Sequence, residues 1–194
     1  MKFDVAIIGG GLAGVTAATA LQQAGFRCVL IAEGLSLDGV SRRDFRLAGG
    51  TVLQGDRVTG GIFRNNVLEC ICTEKLGDEY IYAGSFVLAT GKYFSRGIVA
   101  DMDKVYEPVF GLDVEYDRDR STWFNPSFSA RQRFLDFGVF TRIGRATRNG
   151  EPVKNLYPAG EVLAGLSGAQ GDAAELIRQS AMEAAKAIMD GRTE

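Results

Sequence analysis

The first 33 residues restrict the fold more than any other stretch of the chain. An apolar run (Phe3 to Ile8) leads into Gly9-Gly10-Gly11-Leu12-Ala13-Gly14, a helical pattern (about Leu12 to Gln23), a second apolar run (Arg27 to Ala32) and the acid Glu33. This is strand, turn, helix and strand around the G-x-G-x-x-G spacing of a dinucleotide-binding unit. Gly9 permits the tight turn, Gly11 lets a pyrophosphate approach the backbone, and Gly14 lets the helix pack closely on the strand. The diphosphate then sits on unpaired N–H groups at the positive end of the helix. Glu33 follows Gly14 by 19 residues, where a carboxylate can accept both hydroxyls of an adenosine ribose.

Composition excludes several other readings. A chain of 194 residues can bury roughly 70% of its unfolded surface. Its 46% hydrophobic and 24% charged content is that of an ordinary globular protein, not a disordered one. A net charge of −2 argues against nucleic-acid binding driven by general electrostatics. Cys28, Cys70 and Cys72 are too few and badly spaced for a disulfide framework, and the last two read as small apolar residues on one side of a strand. There is no histidine, which removes the usual metal ligand and the commonest general base. Lys2 before an apolar run imitates a signal peptide, but the glycines at 9 to 11 weigh against it. No run of ~20 apolar residues is present to span a bilayer, so the expected location is the cytoplasm.

Along the chain, Gly34 to Arg43 reads as a polar loop running into a short helix that ends near Gly49-Gly50. Ser41 and Arg42 can reach a phosphate or the adenine edge, or the stretch is a plain solvated connection. Thr51-Val52-Leu53 is a brief third strand. Three extended runs follow, Arg57 to Arg64, Val67 to Thr73 and Tyr80 to Tyr82, with Asn65-Asn66 and Gly77-Asp78 as turns. They form an antiparallel meander that serves as the crossover between parallel strands. Phe86-Val87-Leu88-Ala89, stopped by Thr90-Gly91, is a buried parallel strand whose end lies where ligands of open α/β sheets collect. Residues 92–150 are rich in aromatics, expected mainly in the core. Asn155-Leu156-Tyr157-Pro158-Ala159-Gly160-Glu161 is a last strand entering a glycine turn, and a helix from about Gln170 to Met189 closes the chain.

With three glycine-bearing strand ends in place, the chain resembles flavoproteins of the glutathione-reductase-like FAD superfamily. The resemblance implies an α/β fold: a Rossmann-like parallel sheet with an antiparallel β-meander crossover, the FAD-binding three-layer fold. It makes 1–194 a single FAD-binding domain, with 57–82 as the meander and 92–150 as an irregular insertion. It assigns the adenosine diphosphate to Gly9, Gly11, Leu12, Ala13, Gly14 and Glu33, with Gly34, Arg42 and Val58 alongside. The middle of the cofactor falls to Ala89, Thr90 and Gly91, the ribitol to Gly160 and Glu161, and the pyrimidine edge of the flavin to the last helix start at Gln170. The partial charge of that helix end favours an anionic reduced ring by ~0.3–1 kcal/mol.

Within the superfamily the closer resemblance is to the B-subunit family of anaerobic glycerol-3-phosphate dehydrogenases. It is carried by Phe3 to Gly34, Phe86 to Gly97, Glu107 to Val114 and Asn155 to Gly165. That family has a large substrate-side region between the second and third strands, where only Gly34 to Gly50 stands here. Its glycine-rich turn beside the flavin is replaced by Gly171-Asp172-Ala173-Ala174-Glu175. The resemblance implies an FAD-dependent electron-relay subunit with dehydrogenase and iron–sulfur partner subunits, reaching a membrane through a partner. FMN is the alternative cofactor, but the adenosine set Gly9, Gly11, Gly14 and Glu33 would then bind nothing. A self-sufficient small flavin oxidoreductase, walled by 92–150, and a non-catalytic scaffold are the alternative functions. Oxidising an alcohol needs a base and a water-excluding pocket, and the chain has no histidine to serve as that base. Lys92, Tyr93 and Arg96, just beyond the A-T-G turn, either lie near the flavin or, the expected case, are salt-bridged surface residues.

Overall fold

A computed structural model of the chain describes residues 1–34, 42–127, 129–168 and 172–192. The elements run β1 (Lys2–Ile8), α1 (Leu12–Gln23), β2 (Cys28–Ala32), α2 (Arg43–Leu47), β3 (Thr51–Gln54), β4 (Val58–Arg64), β5 (Val67–Thr73) and β6 (Ile81–Leu88). Five two-residue strands and one longer one follow: β7 (Val99–Ala100), β8 (Val105–Tyr106), β9 (Val114–Glu115), β10 (Gly138–Val139), β11 (Thr141–Arg142) and β12 (Arg145–Arg148). The chain finishes with β13 (Glu151–Pro152), β14 (Leu156–Pro158) and α3 (Ala173–Asp190).

The main sheet has the order β3-β2-β1-β6-β5-β4, with β14 also paired to β6. β1, β2, β3, β6 and β14 are parallel, whereas β4 and β5 are antiparallel additions. The expected meander and the expected buried strand turn out to share one strand. The run beginning at Ile81 continues without a break to Leu88, so its first half pairs with β5 and its second half with β14. Asn155 fills the fork between them: its side chain exchanges bonds with Leu68 N and O (2.9 Å each) and donates to Gly84 O. The Asn65-Asn66 turn has both residues at positive φ, 51° and 59°, as a tight two-residue hairpin turn demands.

Alternation along the parallel strands separates two cores. Val5, Ile7, Leu30 and Val87 face α1 and α3 on one side of the sheet. Ala6, Ile8, Ile31, Phe86 and Leu88 face a layer built from Ile98, Phe110, Trp123, Phe137, Val139 and Val153 on the other. The structure is therefore three-layered around a mainly parallel sheet. In the 92–150 segment the expectation of buried aromatics holds for Phe110, Trp123 and Phe137, while Phe94 and Phe124 are exposed and Phe128 lies outside the described residues. Trp123 packs edge-on against Phe137 at 5.3 Å. Glu107 is buried, and its carboxylate accepts the N–H groups of Val109 and Phe110 at 2.9 and 2.8 Å, pinning the turn after β8. Cys28, Cys70 and Cys72 are free thiols. Among the described residues no helix is long and apolar enough to cross a membrane.

Candidate functional site

Parallel strands β1, β2, β6 and β14 all end on one side of the molecule, and the predicted glycines gather there. Gly9 has φ +108°, and a Cβ on it would overlap the carbonyl of Ala89. A Cβ on Gly14 would overlap the carbonyl of Gly9. These two glycines therefore let α1, the β1 turn and the end of β6 stack backbone on backbone. Gly11 is different: it has ordinary φ, and among the described residues nothing lies within 4 Å of where its Cβ would be. The open space stands over the first turn of α1, which has no side-chain cap and no acidic residue. Its first N–H groups, those of Leu12, Ala13 and Gly14 included, have no helical acceptor.

Other residues singled out by the sequence lie on the loops at this end of the sheet. Glu33 directly follows β2, is half exposed, and has Arg96 Nη2 at 3.8 Å. Arg42 reaches back over the turn, donating from Nη2 to Gly10 O at 3.2 Å and Gly34 O at 3.1 Å. Its Nε is buried without a partner among the described residues. Burial, and secondarily the like charge of Arg46, lowers the pKa of its guanidinium. Gly10, which the spacing leaves as an arbitrary residue, is itself confined: a Cβ would fall 2.5 Å from Ala32 Cβ and 2.7 Å from Arg42 Nη2. Gly55 N–H donates to Ala32 O at 2.7 Å, which brings the start of β4 to the same end of the sheet. The Val58 side chain there is buried in the core, so its main chain is what remains to meet a ligand. Ser41 and Gln170 lie outside the described residues.

On the β6 side, Gly91 has φ +72°, and Ser95 Oγ donates to Thr90 O at 2.6 Å across the turn. Thr90 Oγ1 is buried and has no partner among the described residues. Gly160 has φ +77°, presses on Ala13 of α1, and its N–H donates to Ser180 Oγ of α3 at 2.9 Å. Glu161 is turned to its own loop, accepting Gly168 N–H on Oε1 at 2.6 Å.

The expectation for Lys92, Tyr93 and Arg96 is corrected in part. Of the three, Arg96 alone is an exposed ion-paired residue. Lys92 is buried, and its ammonium donates to Leu135 O (2.6 Å) and Leu166 O (2.7 Å). Burial pulls its pKa down to about 8, with Glu161 and Asp136 pulling the other way. Tyr93 is partly buried, donates to Phe134 O at 2.8 Å, and has a hydroxyl pushed up to about 12 by burial. Nothing local in the sequence marks Lys92 as internal, because its acceptors lie 43 and 74 residues away.

Comparison with known proteins bears on this geometry. The model of the FAD binding domain family matches residues 4–42 and 34–175. The B subunit of anaerobic glycerol-3-phosphate dehydrogenase from Vibrio cholerae is 38% identical over 135 residues, covering 68% of this chain and 31% of its own. The Aliivibrio fischeri protein of that name is 33% identical over 171 residues, covering 81% and 38%. The chain thus spans about a third of the length of the curated relatives it matches. Among solved structures, THI4 of Thermovibrio ammonificans gives a TM-score of 0.62 at 15% identity, covering 100% of this chain and 91% of its own. A thioredoxin reductase from Gloeobacter violaceus gives 0.59 at 12%, covering 100% and 97%. At such identities the likeness to these structures is one of fold.

Proposed function

The chain belongs to the FAD binding domain family, and from that premise we propose that it is an FAD-dependent redox flavoprotein acting as an electron-relay subunit of a dehydrogenase complex. It takes the place that the B subunit holds in a complex of the anaerobic glycerol-3-phosphate dehydrogenase type, within the glutathione-reductase-like superfamily. Its partners are a dehydrogenase subunit and an iron–sulfur subunit, through which a membrane is reached. The observation that carries the reading is the open side of Gly11 above an uncapped helix start. That is a cradle of main-chain N–H groups for a diphosphate. The half-exposed carboxylate of Glu33 supplies two acceptors for a ribose. Thr90 Oγ1 and Arg42 Nε, without a partner among the described residues, are buried polar atoms at the same end of the sheet. FAD, when bound, supplies the redox chemistry; these residues bind and orient it.

The relay reading is tested with purified protein. It should be yellow, release FAD on denaturation, and be reduced only when a partner subunit is added. Reduction by glycerol 3-phosphate with this chain alone would replace the relay with a self-sufficient oxidoreductase. FAD at ~100 times its dissociation constant should raise stability by about 2.7 kcal/mol. Gly11→Val should abolish that shift while leaving the FAD-free protein within about 1 kcal/mol of wild type, the scale of an unfavourable N-cap residue. Retention of FAD affinity by Gly11→Val would displace the diphosphate from this turn.

A further inference from the structure

Lys92 is a buried cation to which the nucleotide reading gives no task. It follows Gly91 at the end of β6, and its two acceptors belong to different segments. Leu135 lies in the 3-10 turn Arg133–Asp136, and Leu166 lies in the loop between β14 and α3. That loop has further ties, with Gly165 N–H donating to Asp136 O at 2.7 Å, Ala164 N–H to Val139 O at 3.2 Å, and Gly168 N–H to Glu161. All of these join the loop to the 133–139 segment or to itself. Tyr93 Oη ties the turn to the end of β6 through Phe134 O at 2.8 Å, and Ala159 N–H ties the start of the loop to Leu88 O at 2.9 Å; the Lys92 ammonium bonds the turn and the loop together. Without it two part-buried carbonyl oxygens would lose this donor, and leaving such groups unpaired is costly to the extent that water cannot reach them.

We propose that Lys92 is a positioning residue for the flavin end of the FAD site: its ammonium holds the 133–136 turn and the 163–168 loop against the carboxyl end of β6, so that affinity for FAD depends on its charge. The inference rests on the FAD reading above. The charged groups facing Lys92 are Glu161, beside β14, and Asp136, in the 3-10 turn. Asp136 is itself held by Arg131 at 2.8 Å. Since burial brings the ammonium from 10.5 to about 8, the charge-assisted clamp is complete below that value and weakens to the bonds of a neutral amine as pH rises through it. The stability linkage has the opposite sign. Between about 8 and 10.5 the unfolded chain binds the proton that the folded chain has released, so this group's contribution to stability increases with pH. A fall in FAD affinity over that range is therefore not a sign of unfolding from this group.

The test is a fluorescence titration of the full chain with FAD between pH 6.5 and pH 9, with ADP as the probe of the adenosine half. Wild-type affinity for FAD should fall as pH passes about 8. Lys92→Met should bind FAD about tenfold more weakly at pH 7, the scale of one lost hydrogen bond to a charged group, and show little dependence on pH. Lys92→Arg keeps its charge throughout, so it should bind near wild type at pH 7 and not fall by pH 9. ADP affinity should be unchanged in both variants. Lys92→Met with wild-type FAD affinity and slope overturns the proposal, as does Lys92→Arg following the wild-type fall. Should Lys92→Met not fold, wild type against Lys92→Arg decides alone. Wild-type protein that binds neither FAD nor ADP at pH 7 overturns the nucleotide reading itself, and the role of Lys92 with it.

Discussion

The glycine turn after β1 and the segment from Lys92 to Gly150 meet at the end of β6 and are shaped by different forces. In the turn, main chain packs on main chain, and the decisive property of Gly9 and Gly14 is the missing Cβ. In the segment, the short strands β7 to β12 contribute few ladder bonds. Scattered main-chain bonds such as Asp113 N–H to Thr147 O are joined there by side chains: the Trp123–Phe137 contact, the Glu107 carboxylate under its backbone N–H groups, and the Lys92 clamp. Backbone-on-backbone contact at Gly9 and Gly14 leaves no room for an added atom, whereas the segment is weakened by removing side-chain atoms.

The largest expected effect tests the first half of that contrast. Gly14→Val places carbon atoms on the carbonyl of Gly9, with backbone on one side and α1 on the other, so relief requires moving a core helix. Loss of more than about 4 kcal/mol is expected, read as absence of a folded, soluble protein by circular dichroism. The contrast with Gly11→Val, which meets open space, should be nearly complete. Equal tolerance at the two positions would remove the distinction between a packing glycine and a cradle glycine.

Trp123→Ala tests the other half. The indole is buried against Phe137, stacks under Arg120 at 4.5 Å, and donates from Nε1 to Asp117 O at 2.8 Å. Truncation should cost about 3–5 kcal/mol, measured by urea denaturation. Trp123 and Phe137 share one core with Ile8, Ile31 and Leu88 of the sheet. A single transition with a lower midpoint is therefore expected. Two resolved transitions would show that the segment folds apart from the sheet.

The same contrast explains what the sequence can reveal. β1, α1, β2 and β3 lie within a few residues of their expected bounds, because strand and helix periods and glycine requirements are local. The union of the meander's last run with the parallel strand is hidden, since Ala83-Gly84-Ser85 looks like a break. What carries the strand through them is pairing with β1, where Phe3 meets Ala83 and Val5 meets Ser85. The burial of Lys92 is hidden for a related reason: a lysine between a glycine and two aromatics reads as surface until the carbonyls of Leu135 and Leu166 arrive from far along the chain. Arg42 is legible as a ligand candidate, whereas its packing over Gly10 is not.

Glu33→Gln probes binding without disturbing either kind of packing. The side chain is half exposed and its ion-pair partner, Arg96, stands 3.8 Å away, so the fold should be unaffected. FAD affinity should fall by about 1.5–3 kcal/mol, the range for hydrogen bonds to a charged group. Calorimetric titration reads this directly. An unchanged affinity would remove the ribose from Glu33.

The smallest effect concerns Arg96, where the 92–150 segment meets the end of β2 through an exposed ion pair with Glu33. Its φ of +60° is a left-handed conformation that glycine adopts freely. Arg96→Gly relieves about 1 kcal/mol of backbone strain, offset by about 0.5–1 kcal/mol of extra chain entropy in the unfolded state. An exposed pair contributes about 0–1 kcal/mol, and at 3.8 Å with both side chains at least half exposed it belongs at the low end. The sum is a gain of about 0.5 kcal/mol or less in urea denaturation. A loss greater than about 1 kcal/mol, beyond what an exposed pair supplies, would mean that Glu33 and Arg96 help to fasten the turn after β6 to the end of β2. The segment would then be fastened to the parallel sheet by charge as well as by packing.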